Sequence, residues 1–350
     1  MDMIVDIATT LMAQFQKPTL AFLIGGMMLA ALGSRLEVPE PVYKFIVILL
    51  LLKVGIGAGI SVREADLIEL AVPALGAAFL GVALVLVGMQ TLARAKGVSP
   101  MDGMATAGLF GAVSASTLAA GMAMLDSEGV AYEGFIGALY PFMDIAALVT
   151  AIVLARMAAE RRAAPVQGGA ATMTMGVSQG AGFHAGIVKE ILVDTFRSPA
   201  ISALVLGLAL GIFARPDSVY DSFYDVLFRG FLSILMLIMG MEAWSRLSEL
   251  RRVAHAYVLY GLAAPLLHGA LGFGVGLTIH HVTGFSGGGV VLLAVMASSS
   301  SDISGPPTMR AALPEANPSA YVGTSTGLGT PVAILSIPLW MALAEFFIGL

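Results

Sequence analysis

Apolar positions occupy long, nearly unbroken blocks of this chain, and polar positions gather between them. The blocks run at roughly 18–33, 41–60, 69–92, 103–124, 132–157, 198–214, 226–247, 255–281, 286–301 and 318–348. Each approaches the ~20 residues that a helix needs to cross ~30 Å of hydrocarbon. The pattern predicts an all-α polytopic membrane protein with about ten transmembrane helices. The blocks fall into two groups of five around residues 158–190, a Gly-, Ala- and Thr-rich stretch with scattered charge and no sustained period. That stretch reads as an exposed linker. The expected organisation is a first repeat over 1–157, a linker over 158–190 and a second repeat over 191–350.

An odd number of spans in each group turns the second group upside down relative to the first. The sequence carries traces of such a duplication. "KPTLAFLIGGMMLAALGSR" (17–35) resembles "SPAISALVLGLALGIFARP" (198–216), with Pro18 matching Pro199. "AVPALGAAFLGVALVLVG" (71–88) resembles "AAPLLHGALGFGVGLTI" (263–279) through Pro73 and Pro265, and "DIAALVTAIVLA" (144–155) resembles "TPVAILSIPLWM" (330–341). Gly137 aligns with Gly323. Inverted repeats are a signature of secondary transporters, whose sites lie near the midplane where discontinuous helices of the two halves meet.

Two polar interruptions stand in the fourth element of each group. One is "AGLFGAVSASTLAAG" (107–121), the other "MASSSSDISGPP" (296–307). In hydrocarbon a broken helix is tolerated only where it is buried in protein or lines a wet cavity. Glycine lets a backbone open and approach a ligand, and Pro306 and Pro307 interrupt the preceding helix. Hydroxyls, carbonyls and a carboxylate are hard oxygen ligands for a small cation, while half-helix N-termini suit an anion. Small residues at such spacing also pack membrane helices closely. Asp302 favours a site, because a carboxylate at membrane depth is costly without a function.

Composition agrees with this reading: 58% of residues are apolar and only 12% charged. The chain has no cysteine, which excludes disulfides, thiolate metal sites and cysteine catalysis. Its net charge of −5 argues against nucleic-acid partners. The N-terminal stretch bears acids where a signal peptide carries basic residues, so no cleaved leader is expected. With the linker on the cytoplasmic side, most of the eighteen Lys and Arg residues fall on that side, which sets the expected orientation.

Other polar residues have plainer roles. Asp144 reads as a cation ligand or a helix cap after the break. Glu242 is expected to pair with Arg246 one turn on, and Lys53 either is a buried partner or snorkels. His184 falls in the linker; His255, His268, His280 and His281 lack the spacing of a zinc site and read as interfacial or packing residues. A serine-protease reading fails for want of a "GxSxG" motif or a placed histidine. An aspartyl pair of Asp144 and Asp302 has no support in its flanks, so the chain is expected not to be an enzyme.

"PTLAFLIGGM", "GLFGAVSAST", "GALYPFMDI", "FRGFLSILMLIMGMEAWSR" and "ASSSSDISGPPTMRAALPEANPSAYVGTSTGLGTP" resemble the cyanobacterial SbtA-type sodium-dependent bicarbonate transporters, over nearly the whole chain outside the linker. The resemblance implies a symporter that imports bicarbonate on the sodium gradient for inorganic carbon uptake, without a cofactor beyond Na⁺ as coupling ion. It implies a core domain with crossing broken helices, a gate domain, a homotrimer in the bacterial inner membrane, and a cytoplasmic PII-like regulatory protein that senses adenine nucleotides. By the same resemblance, Gly111, Ala112, Val113, Ser114, Ser300 and Ser301 surround bicarbonate, partly by backbone N–H. Ser116, Thr117, Asp144, Ser298, Ser299, Asp302 and Ser304 hold sodium. The alternatives are a sodium-coupled symporter of another small anion, such as sulfate or a carboxylate, and a membrane sensor without transport.

Overall fold

A computed structural model describes residues 16–64, 67–163, 189, 192–193, 196–250 and 255–349. Among these residues there are helices and connecting turns and no strand. The main helices are α1 (Pro18–Ala31), α2 (Glu40–Glu64), α3 (Leu67–Gln90), α4 (Pro100–Gly111), α5 (Ala115–Glu128), α6 (Leu139–Ala163) and α7 (Pro199–Phe213). They continue as α8 (Val226–Leu250), α9 (His255–Thr283), α10 (Gly287–Ser298), α11 (Gly305–Ala312), α12 (Pro318–Thr324), α13 (Thr330–Leu335) and α14 (Ile337–Ile348).

Among the described residues seven segments are long and apolar enough to cross a membrane: Glu40–Arg63, Glu69–Arg94, Pro100–Glu128, Gly134–Ala159, Asp217–Ser245, His255–Thr283 and Pro318–Ile348. The protein is an all-α polytopic membrane protein. The other three predicted blocks hold shorter apolar helices, α1, α7 and α10, of 14, 15 and 12 residues. At 1.5 Å per residue these rise about 18–23 Å, less than the hydrocarbon thickness.

Local chemistry starts these helices where they start. Pro18, Pro100, Pro199 and Pro318 open α1, α4, α7 and α12, where a missing N–H costs nothing. Ser99 and Ser198 cap α4 and α7 by accepting from Asp102 N and Ile201 N. Three boundaries differ from the hydrophobic pattern. α10 stops at Ser298, short of residue 301, because Ser299 turns extended and Ser300 and Ser301 follow it out of the helix. α6 runs through Ala163, six residues into the predicted linker, whose residues 164–188 lie outside the described residues. The last block is not one helix; a π-helical stretch, Ser325–Gly329, separates α12 from α13.

The helices sort into two packed groups. In one, α1 packs along α8 and α2 along α7. In the other, α3 packs on α4, α6 and α9, while α9 packs on α10 and the α12–α13 segment. The relations come in matching pairs: α1 to α8 as α7 to α2, α3 to α4 as α9 to α10, and α3 to α6 as α9 to α13.

Lys53 of α2 is itself buried, 5% exposed, yet it pairs with the exposed Asp225 at 3.4 Å and lies 4.3 Å from the centre of the Phe228 ring. Arg63 reaches across to α7 and donates to the carbonyls of Gly211 and Ala214, both at 3.2 Å. The side chains of Arg246 and His184 lie outside the described residues.

Candidate functional site

Both interruptions are real breaks. α4 ends at Gly111, Ala112 is extended (φ −89°, ψ 160°), and α5 begins after Ser114. α10 ends at Ser298, Ser299 is extended (φ −73°, ψ 170°), and α11 begins at Gly305. Breaking a helix orphans amides and carbonyls that must be satisfied in a site closed to water, and the structure shows where they go. Ser301 N donates to Leu109 O at 2.8 Å, and Ser114 N donates to Ser299 Oγ at 2.9 Å. The two breaks therefore cross and hydrogen-bond each other.

The remaining groups find partners on the surrounding helices. Val113 N donates to Asp144 Oδ1 at 3.1 Å, from α6. The Phe110 carbonyl meets His268 Nδ1 of α9 at 3.3 Å; a carbonyl only accepts, so this nitrogen carries the hydrogen. Ser301 O accepts from Ser325 Oγ at 3.0 Å, and Ser300 Oγ donates to Ser325 O at 3.2 Å. Thr330 Oγ1 donates to Ser300 O at 3.4 Å.

Two carboxylates organise the centre. Asp144, fully buried, accepts from Val113 N and, through Oδ2, from Ser304 Oγ at 3.2 Å. Ser304 Oγ also lies 3.1 Å from Ser301 Oγ and 3.4 Å from Tyr140 OH. Asp302 Oδ2 accepts from Ser116 Oγ at 2.6 Å. Ser116 Oγ is 2.9 Å from Ser114 Oγ, which accepts from Thr117 Oγ1 at 3.0 Å. Among the described residues Asp302 Oδ1 is buried without a hydrogen-bond partner. A small crevice between α2, α5 and α8, bordered by Leu50, Val54 and Leu235, reaches Ser116.

Placement of the predicted residues divides as follows. Ala112, Val113, Ser114, Ser299, Ser300, Ser301, Asp302 and Ser304 form the two breaks, and Gly111 and Ser298 are the last helical residues before them. Ser116 and Thr117 join the Asp302 cluster; Ser301, Ser304 and Asp144 form the other. Ser298 joins neither, because its hydroxyl donates to Val295 O within its own helix at 2.9 Å. The amides of Val113, Ser114 and Ser301 are occupied within the protein, whereas those of Ala115 and Ser116 open α5 and have no acceptor in that helix. Sequence reasoning missed Ser325 and Thr330 as partners of the second break. Thr330 had a signal: it is the residue matched with Asp144 in the internal repeat.

The breaks follow one local plan. Ser114 and Thr117 pair hydroxyls in the first, and Ser301 and Ser304 in the second, with the same three-residue spacing. Asp144 satisfies the first break from α6, and Thr330 satisfies the second from α13. Latches close the far ends: Glu133 accepts from Ser286 N and Ser286 Oγ before α10, and Asp102 of α4 accepts from Asn317 N before α12. Among the described residues no group of three or more His, Asp or Glu side chains comes together. The side-chain oxygens gathered at the crossing are hydroxyls and single carboxylates, hard ligands.

Comparison with known proteins agrees with this chemistry. Residues 18–345 match the family described as the Na⁺-dependent bicarbonate transporter superfamily. None of the curated proteins matches the chain. The chain belongs to that superfamily.

Proposed function

We propose that this member of the Na⁺-dependent bicarbonate transporter superfamily is a symporter that imports bicarbonate on the sodium gradient by alternating access. The observation that carries this reading is the crossing of two broken helices with a buried, unpartnered carboxylate oxygen, Asp302 Oδ1, at the crossing. Sodium would take its oxygens from the Asp302 cluster of Ser114, Ser116 and Thr117, with Asp144, Ser299 and Ser304 as the neighbouring set. Bicarbonate would lie against the start of α5, where the amides of Ala115 and Ser116 and the positive end of the helix face an anion. Ser300 and Ser301 would frame it from the opposite break. Cation and anion then stabilise each other in a low-dielectric site, so binding of one favours the other.

In this reading residues 1–157 and 191–350 are inverted repeats, a proposal that the paired packing relations support. The group containing both breaks is the moving core, and α1, α2, α7 and α8 are the gate it slides against. The crevice that reaches Ser116 lies between the two groups, where such motion would open a path. The protein acts as a homotrimer in the bacterial inner membrane, with the linker on the cytoplasmic side as a docking place for a PII-like, adenine-nucleotide-sensing regulator. In this reading the polar groups at the crossing bind and position the two ions, and transport needs no covalent step.

Uptake of labelled bicarbonate into proteoliposomes tests the reading. Uptake should follow an inward sodium gradient and resist competition by sulfate, whose tetrahedral shape does not fit a site for a small planar anion. Flux that ignores the sodium gradient, or that sulfate abolishes, would overturn it. Ligand binding without flux would leave a sensor.

A further inference from the structure

The geometry points to His268 as a positioning residue that holds the first helix break in its ligand-ready shape through the Phe110 carbonyl. This inference rests on the transport reading above. His268 is fully buried in α9, and among the described residues its ring finds one hydrogen-bond partner, Phe110 O at 3.3 Å. In a continuous helix that carbonyl would accept from Ser114 N, four residues on; here Ser114 N is given to Ser299 instead. His268 therefore replaces a hydrogen bond that the break removes.

Phe110 is well placed to transmit any movement. Its ring packs edge-on against Tyr260 at 5.0 Å and against His268 at 6.4 Å. On its other side it meets the π-helical stretch: a Cβ on Gly329 would lie 2.6 Å from Phe110 Cζ and 2.7 Å from Ser300 Oγ. The preceding carbonyl, Leu109 O, holds Ser301 N. Release of Phe110 would thus shift Leu109 and Ser301 on one side and Val113 and Ser114 on the other. α9 also backs the second break, since Gly272 faces Ala297 at the end of α10. One rigid helix sets both breaks, and His268 is its polar contact with the first.

A histidine that merely fills space would be replaceable by leucine without effect on affinity. A positioning histidine requires a donor at the Nδ1 position, which asparagine supplies and glutamine displaces by one methylene. The experiment compares wild type with His268→Asn, His268→Gln and His268→Leu in proteoliposomes. It measures KM for bicarbonate and for sodium, with Vmax scaled to folded, reconstituted protein. His268→Asn should keep KM within about twofold, while His268→Gln and His268→Leu should raise it about tenfold with Vmax largely kept, the scale expected for one lost hydrogen bond. Wild-type KM in His268→Leu, or an equal rise in His268→Asn and His268→Gln, would overturn the assignment. If His268→Leu fails to fold, the asparagine–glutamine comparison decides alone. Wild-type protein without sodium-driven uptake would instead sink the transport reading itself.

Discussion

Ser299 Oγ stands between the two halves of the site: it accepts from Ser114 N at 2.9 Å and donates to Met296 O at 2.7 Å. The equivalent contact in the other direction, Ser301 N to Leu109 O, is direct. A hydroxyl has thus been inserted into one of two otherwise matching links. Ser299→Ala should leave Ser114 N–H and Met296 O without that partner, costing about 1–3 kcal/mol. A lowered thermal midpoint in detergent and a raised KM for bicarbonate are expected, with Ser299→Thr closer to wild type. Unchanged behaviour of Ser299→Ala would mean that the link is not used.

Asp302 carries the clearest prediction about sodium. Asp302→Asn preserves shape and can still accept from Ser116 Oγ, but it removes the charge beside the unpartnered oxygen. Sodium-driven uptake should fall by roughly two orders of magnitude or more, as expected when a cation loses its charged ligand in a low-dielectric site. The variant should still purify as a folded protein. Ser116→Ala, which removes one neutral ligand, should raise the sodium concentration for half-maximal uptake by less. Sodium-dependent uptake at the wild-type rate in Asp302→Asn would take Asp302 out of the site.

Asp144 has a structural task besides any contact with sodium. It ties the first break to α11 by accepting from Val113 N and Ser304 Oγ at once. Asp144→Ala leaves Val113 N without its acceptor, while Ser304 Oγ keeps Ser301 and Tyr140 as neighbours, and should destabilise the protein by about 2–3 kcal/mol. Thr330→Val, at the matching position in the second half, loses two long contacts with Ser300, to its carbonyl and its hydroxyl at 3.4 Å each, and should cost about 1 kcal/mol. Unfolding midpoints in the same detergent would rank the two, and the reverse order would contradict the paired plan.

Hydropathy made the membrane fold legible, because ~20-residue apolar blocks have few other uses, and the two breaks were visible as polar residues where none should be. Their crossing was not visible from either segment alone. It rests on contacts such as Ser114 with Ser299, which are far apart in sequence and close only once α3 and α9 have set both half-helices. His268 and Ser325 were illegible for a related reason. Each satisfies a backbone carbonyl, and a carbonyl is the same for every residue, so nothing in the side-chain pattern marks its partner. The end of α10 is not marked by residue type, since Ser298 stays helical while the hydroxyls of Ser300 and Ser301 serve Ser325 and Ser304 outside the helix.

In the α2–α7 contact glycines let two backbones touch. Gly55 and Gly59 of α2 face Gly207 and Gly211 of α7 at four-residue spacing in both helices, the small-residue pattern of close membrane helix pairs. A Cβ on Gly211 would lie 2.7 Å from Gly59 Cα, and one on Gly207 would lie 2.8 Å from Leu52 O. These obstacles are backbone, so they cannot rotate aside as a side chain can. Gly59→Val or Gly211→Val should force the helices apart and cost about 1–3 kcal/mol or more from overpacking, read as a lower thermal midpoint or loss of folded protein. Gly25→Ala in α1, where the added carbon meets nothing within 4 Å, serves as the control and should hold its midpoint. Equal stability of Gly59→Val and Gly25→Ala would show that α2 and α7 do not pack through their glycines. If the valine variants fold yet lose uptake, the tight pair is needed as a rigid surface against which the core group moves.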